Sequence, residues 1–488
     1  MIRVSMLAAM NRVVLPGIVL LALVGCASVD PYASPPMAQN LQREDDVGYC
    51  ARLFADIDRR VDTLGVRDAE AHRVNGFPYL RVDRFSAALV QRMTGAAQEQ
   101  AWFARLQQLD ERARATELAN AALSVDDLQR CRSLLDAADA AAIKELHTSA
   151  KVPDNYNIGM RALGIYPLTR LPFAAGIARW QADTRSAFAT PIEVLPMHGR
   201  LQRYGPPQGV SKPVHVSNLD PLGVPVFSAA EAAALFARHA PVLEIDVAGG
   251  FDRIGALTLD AEDRVSVDAA APVMYTRLAY TLLGGLIHPQ LVYTFWFSER
   301  PRSPGSTFDL LAGKLDGVVW RVTLSFDGNA LVYDSMHACG CYHLFFPTEK
   351  VVARELPTTL DETLFVPQTV PAARSGEKIM LRIESGSHYL QRVSMTSEAQ
   401  LANVVVYQLQ DERTLTTLAR RDGGTRSAYG PDGFIAGSER AERWFFWPMG
   451  IESAGQMRQW GHHATAFVGR RHFDDADLFE KRFRFELR

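Results

Sequence analysis

Residues 333–343 read Tyr-Asp-Ser-Met-His-Ala-Cys-Gly-Cys-Tyr-His, so His337, Cys339, Cys341 and His343 recur every second residue around Gly340. No other stretch gathers reactive side chains so densely. Two thiols and two imidazoles form a donor set suited to zinc or copper. The cysteines could instead close on each other as a tight, easily reduced disulfide. A third reading leaves buried thiols and hydrogen-bonded histidines on a sheet face. On an ideal strand Tyr333, Ser335, His337, Cys339, Cys341 and His343 share one face. His337 and His343 would then lie roughly 20 Å apart, at about 3.3 Å per residue. Metal–ligand bonds of about 2.0–2.3 Å cannot join both ends to one ion. Either Gly340 bends the chain, or neighbouring pairs chelate (His337 with Cys339, Cys341 with His343) and a further ligand arrives from elsewhere. His388, in an expected turn after Gly386-Ser387, is the first candidate for that ligand. His288, His462, His463 and His472 are alternatives. The expected metal set is thus His337, Cys339, Cys341, His343 and His388. Asp316 and Glu299-Arg300, at strand ends, are candidate acid–base or polar groups. The chain carries no Gly-x-Ser-x-Gly, no His-Glu-x-x-His and no phosphate loop.

The elements that must hold these residues divide the chain in two. Residues 47–150 are rich in Ala, Leu, Arg, Glu and Asp, and Leu53, Ile57, Val61 and Leu64 fall at helical spacing. Ser124 and Asp127 read as a capping box for a helix containing Leu128, Leu134 and Leu135. Together these predict a bundle of four or five helices. Residues 151–209 form a connector. Within it, 158–181 are apolar with Arg161, Arg170 and Arg179 interspersed, and Pro167 and Pro172 are expected to break any single helix. That segment reads as packed between domains, or as a surface touching lipid. From 210 to 488 the signal turns to strands. Leu243, Ile245 and Val247 alternate with acids, and Leu257 and Leu259 face Val265 and Val267 across a polar turn. Residues 291–297 form an aromatic strand. Val318, Trp320, Val322 and Leu324 oppose Arg321 and Thr323 before the Asp327-Gly328 turn. Residues 379–383 and 389–393 flank the His388 turn, and the alternating Phe483 and Phe485 suggest an edge strand. The expected class is α+β: a helical bundle, then an antiparallel, β-sandwich-like region with a mixed C-terminal part.

Bulk properties narrow the functions. The 488 residues suit two or three domains. A net charge of −3 with no basic block predicts no nucleic-acid partner. Arg3 and Arg12 precede an apolar run over residues 13–25, which ends Leu23-Val24-Gly25-Cys26. A basic start, a short apolar core and small residues describe a signal peptide over 1–25. Leu-Val-Gly-Cys resembles the lipobox of bacterial lipoproteins. That resemblance implies cleavage before Cys26, lipidation of Cys26 and attachment to a membrane; Ala27 in place of Asp implies the outer membrane. Residues 26–46, with Pro31, Pro35 and Pro36, are expected to be a flexible tether. In an oxidising periplasm Cys50 and Cys131 are candidates for a disulfide, or else two separate buried thiols.

Residues 238–346 resemble in layout a family of β-sandwich proteins that includes vacuolar-sorting-associated and necrosis-inducing members. The matching pieces are Arg238-His-Ala-Pro-Val-Leu243, Tyr293-Thr-Phe-Trp-Phe297, Asp316-Gly-Val-Val-Trp320 and Tyr333-Asp-Ser-Met-His337. Ser385-Gly-Ser-His388 is similar to a later histidine turn in that family. Where the family carries Gly-x-x-x-Asp-Trp-Glu, this chain has Gly313-Lys-Leu-Asp316-Gly-Val, without the Trp-Glu. The resemblance implies a β-sandwich. The leading expectation for function is an envelope protein binding a metal ion or ligand near residues 337–343. Alternatives are a metal-dependent hydrolase of envelope material, or a structural lipoprotein with a Cys339–Cys341 disulfide.

Overall fold

The computed structural model describes residues 30–207, 214–355, 360–374, 376–397, 400–401 and 404–486. The signal peptide and Cys26 lie outside the described residues. From Asp30 the chain is already docked, which corrects the expectation of a free tether over the described part of 26–46. The Tyr32 hydroxyl donates to Asp58 (2.6 Å), and α1 (Met37–Asn40) buries Met37 completely. Asn40 donates to Asp139 at 2.8 Å.

The N-terminal part holds α2 (Asp46–Leu64), the ribbon β1 (His72–Val74) and β2 (Phe77–Val82), α3 (Arg84–Leu89), α4 (Ala96–Asn120), α5 (Leu128–Asp139) and α6 (Ile143–Ser149). Asp45 caps α2 by accepting from Gly48 N–H. The Ser124–Asp127 capping box does not form; Asp127 begins α5 without a side-chain cap and accepts from the Tyr49 hydroxyl at 3.3 Å. Cys50 of α2 and Cys131 of α5 are disulfide-bonded, with Cα atoms 4.9 Å apart. The ribbon was not expected among helices. All six residues of β2 are buried, so the strand shows no alternation to read. Arg81 of β2 enters an ion-pair cluster in which Asp110 meets Arg81, Arg114 and Arg132. Glu117 takes Arg81 at 2.7 Å.

The connector is helical: α7 (Ile158–Leu163) and the 24-residue α8 (Tyr166–Ala189), which continues past Pro172. Pro167 sits in the first turn, where a missing N–H is harmless. Pro172 is exposed, so water serves the carbonyl it leaves unpaired. The proline break is therefore corrected.

Two larger sheets follow, built from β3 (Arg200–Gly205), β4 (Val242–Val247) after α9 (Ala229–His239), β7 (Val273–Leu283), β8 (Leu286–Arg300), β9 (Gly313–Leu324), β10 (Ala330–His337), β11 (Leu344–Pro347), β13 (Glu377–Ile383), β14 (Leu390–Ser397), β15 (Val405–Val406) and β16 (Gln408–Asp411); the ribbon of β5 (Ala256–Leu259) with β6 (Val265–Asp268) and the short strand β12 (Val351–Ala353) lie outside them. One sheet has the order β11-β10-β9-β8-β7-β16, the other β14-β13-β4-β3-β15. The pairs β13–β4, β15–β3 and β16–β7 are parallel, so both sheets are mixed rather than antiparallel. Leu291, Tyr293, Phe295, Val318, Trp320 and Val322 of the first sheet share one hydrophobic cluster with Leu243, Ile245, Leu381 and Ile383 of the second. The outer face of the first sheet is covered too. There Val292, Trp296, Val319 and Met336 pack against Leu415, Tyr429, Ile435, Met457 and Phe473. Coverage on both sides explains why every residue of β10 is buried. The chain ends through a ribbon of β17 (Leu418–Ala419) with β18 (Thr425–Arg426), then α10 (Arg443–Phe446) and α11 (Leu478–Arg482), and finally β19 (Phe483–Phe485) on β12. The whole is α+β.

Candidate functional site

β10 stops at His337 because the chain reverses there. Gly340 N–H donates to His337 O (2.7 Å) and His337 N–H to Cys341 O (2.9 Å). Gly340 has φ +93°, and a Cβ on it would lie 2.6 Å from Ala464 O, so only glycine fits this bend. Tyr342 follows with φ +60°. The reversal separates the motif. Tyr333 faces the cluster between the sheets, and Ser335 and His337 line a cavity beside it. Met336, Ala338 and Cys339 face the outer layer.

His343 belongs to a buried knot on that outer side. Its Nε2 meets Asp334 Oδ2 at 2.8 Å. Arg321 grips the same carboxylate with Nε (2.9 Å) and Nη2 (2.6 Å) and lies 3.7 Å over the Phe473 ring. Burial pushes the His343 imidazole down to about 3 despite its contact with Asp334. This histidine is a neutral hydrogen-bond partner of the Arg321–Asp334 ion pair.

His337 enters a different chain of groups. Its Nδ1 is 3.4 Å from Asp316 Oδ1. The other oxygen, Oδ2, is 2.8 Å from Nδ1 of His388, whose Nε2 is 3.5 Å from Asp252 Oδ1. Asp252 also accepts from Gly386 N–H (2.7 Å) and the Ser385 hydroxyl (2.9 Å), clamping the turn that carries His388. The His388 ring stacks on Phe297 at 3.8 Å and 2°. Burial opposes charge on every member of this row, and the outcomes differ. Hydrogen bonds to Asp252 and Asp316 overcome burial and raise His388, which favours an imidazolium between two carboxylates. Burial keeps His337 below its ordinary value despite Asp316. Burial also works against the Asp316 anion, yet His337 and His388 hold it well below the carboxylate range. The row thus favours charge on Asp252, His388 and Asp316 and the neutral form of His337.

Three non-glycine residues around this row carry left-handed backbone: Leu315 (φ +55°), Tyr342 (φ +60°) and His388 (φ +54°). Conformations of this kind are held only where the surroundings enforce them, and they gather at functional sites. Arg440 helps by donating to Leu315 O.

His337 lines a cavity of about 290 Å³. Its Nε2 is buried and has no hydrogen-bond partner. The other walls include Ser335, Tyr342, Glu384, Tyr389 and Gln391 from the sheets and loops, and Trp180, Asp183, Thr184 and Ala187 from α8. Arg300 lies 4.8 Å over the Tyr389 ring and donates to its hydroxyl at 3.2 Å. Nearby in the fold, burial lifts the Glu442 carboxyl to about 7 against the pull of Arg440, Arg300 and Arg458. A neutral imidazole held by a carboxylate, with its second nitrogen free of any hydrogen bond and its ring in a cavity wall, is the arrangement of a general base.

The five residues of the expected metal set are therefore divided. His337 and His388 meet at Asp316, and His343 meets Asp334. Cys339 and Cys341 remain free thiols. Their mutual hydrogen bond, then burial, push the Cys341 thiol well up. The Cys339–Cys341 disulfide is not formed. Among the described residues, no three His, Cys, Asp or Glu side chains stand in metal-holding geometry. His388 approaches His337 through Asp316. The histidine beside the cysteine bend is His463, whose Nε2 is 3.1 Å from Ala338 O. His462 instead contacts Ala69 O at 2.8 Å, His472 pairs with Asp154 and Asp475 at 3.2 Å each, and His288 sits 2.9 Å from Leu324 O. Asp252 and Glu442 were not singled out in the sequence. Asp252 lies 136 positions before His388 in the chain (388 − 252), and no local pattern links them. No family model, no curated protein and no solved structure matches this chain.

Proposed function

We propose that this is a lipid-anchored protein of the bacterial outer membrane, facing the periplasm, whose two sheets pack as a β-sandwich around a ligand site. The cavity at His337 takes a small polar ligand, and His337, oriented by Asp316, accepts a proton from it or from a water beside it. The observation that carries this is the unpartnered Nε2 of His337, a residue of the cavity wall whose Nδ1 faces Asp316. In a hydrolytic reaction that nitrogen activates the attacking water. Diethyl pyrocarbonate, which acylates neutral accessible imidazoles, tests the reading. Mass spectrometry is expected to find His337 modified ahead of His343 and His388. Hydrolysis of p-nitrophenyl acetate is expected to fall in His337→Gln. An unreactive His337, or modification that favours His343, sinks the proposal.

A second reading rests on the paired thiols. Cys339 and Cys341 lie within hydrogen-bonding reach of each other, and zinc or copper(I) could displace their protons. In that case the protein is a metal binder or a metal-dependent hydrolase. Protein purified from membranes would then carry about one equivalent of metal, lost in Cys339→Ser. Metal-free protein with two titratable thiols removes this reading.

A further inference from the structure

The corner formed by α7, α8 and α10 is an apolar surface standing in solvent. Leu163 is 71% exposed, Leu168 63% and Trp444 68%, with Ile165, Leu171 and Phe445 exposed beside them. The three helices form one unit. A Cβ on Gly164, between α7 and α8, would lie 2.5 Å from Pro448 just past α10. Phe173 of α8 packs on Phe446 of α10 at 5.3 Å. Ile165, at the tip of the corner, has φ +49°, a conformation that a β-branched residue rarely adopts. Soluble proteins seldom leave so many large apolar side chains together in water.

Charge identifies what covers the corner. Residues 158–182 contain Arg161, Arg170 and Arg179 and no Asp or Glu. Arg443 lies 4.8 Å over the Trp444 ring. Apolar and aromatic groups rimmed by arginine match the headgroup layer of a bilayer with anionic lipid. A second copy is a poor occupant, since a two-fold contact would set like charges against each other. Among the described residues no helix is long and apolar enough to cross a membrane, so contact is with the surface. Cys26 lies four residues before Asp30, where the described fold begins. A lipidated Cys26 would hold Asp30 within about 15 Å of the bilayer.

We infer that the α7–α8–α10 corner docks on the anionic lipid surface, as a contact separate from the covalent anchor. The second half of α8 supplies Trp180 and Asp183 to the cavity wall, so one helix joins bilayer and cavity. The docking itself does not depend on the role proposed for His337.

The test uses the full chain carrying Cys26→Ser, which removes lipidation. It is co-sedimented with vesicles of phosphatidylethanolamine and phosphatidylglycerol, and separately with phosphatidylcholine vesicles. Binding to the anionic vesicles, weakened by salt, is expected. The doubly substituted Leu168→Glu/Leu171→Glu chain is expected to bind about tenfold less or weaker still, with its circular dichroism and melting unchanged. Trp444→Ser, on a different helix, is expected to weaken binding as well, which guards against misfolding of the first variant. Equal binding by parent and variants, or no binding by the parent, overturns the inference. So does a parent that is dimeric in light scattering and becomes monomeric on the same substitutions.

Discussion

Asp316→Asn tests the row of four groups most sharply. The side chain keeps its shape, but the central anion disappears. In the parent, Oδ1 and Oδ2 each face the Nδ1 of a buried histidine, at 3.4 Å and 2.8 Å. The amide offers one acceptor where two are needed, and an unmet buried donor costs about 1–3 kcal/mol. It also strips His388 of one of two counter-charges, and breaking a buried ion pair costs about 3–5 kcal/mol. The overlapping effects predict a total loss of about 3–5 kcal/mol rather than their sum. The pH dependence follows from the direction of each shift. Asp316 is depressed, so its contribution is present above the unfolded carboxylate value of about 3.9 and is lost as pH falls below it. His388 is raised, so its contribution is complete below about 6.5 and is lost as pH climbs through its folded value. The gap between parent and variant is therefore widest from about pH 4 to about pH 6.5 and narrows above. Urea unfolding across that range measures the gap, and hydrogen exchange in β9 and the turn at 384–389 locates it. A loss below about 1 kcal/mol, unchanged from about pH 5 to about pH 8, would refute a charged His388 pinned by Asp316.

Further expectations follow from other parts of the fold. Cys50→Ser/Cys131→Ser opens a loop spanning 81 positions, which by chain entropy lowers stability by about 4.5 kcal/mol, read as a shift in the urea midpoint. Gly340→Ala forces a side chain toward Ala464 O at 2.6 Å and into φ +93°; a loss of about 1–3 kcal/mol is expected, and parent-like stability would show that the bend relaxes. Asp110→Ala takes one buried counter-charge from each of Arg81, Arg114 and Arg132, leaving Glu117 on Arg81 and Asp58 on Arg114, and is expected to cost about 3–5 kcal/mol in calorimetry. Burial works against ionising Asp110, but the three arginines hold it down to about 2. The stability it supplies is thus present above the unfolded value of about 3.9 and disappears as pH falls toward 2, a loss the variant should no longer show.

The strands of the larger sheets were legible where one face differs from the other. Val318, Trp320 and Val322 opposite Arg321 and Thr323 revealed β9, and Asp327-Gly328 its turn, where Gly328 has φ +73°. The Leu257–Leu259 and Val265–Val267 ribbon pairs in the register that its alternation suggests. The distances along residues 337–343 leave a bend at Gly340 as one of two alternatives, and the chain takes it. What stayed hidden is non-local. The parallel partners of β3, β4 and β7 lie far along the chain, and nothing in a six-residue strand names its neighbour. The union of Asp252, Asp316, His337 and His388 is hidden for the same reason. Docking of residues 30–46 was masked by a polar, proline-rich composition, in which Met37 and Tyr32 supply the few anchoring contacts.

The parallel pairs bear on how the protein is made. β4 finds its partner β13 in residues 377–383, and β3 finds β15 at 405–406. A chain that has emerged only as far as β12 therefore presents β4 with one unsatisfied backbone edge, a template for pairing with other chains. Contacts closed over such spans form slowly. Nascent or truncated forms ending before residue 377 are expected to depend on chaperones and to aggregate when released.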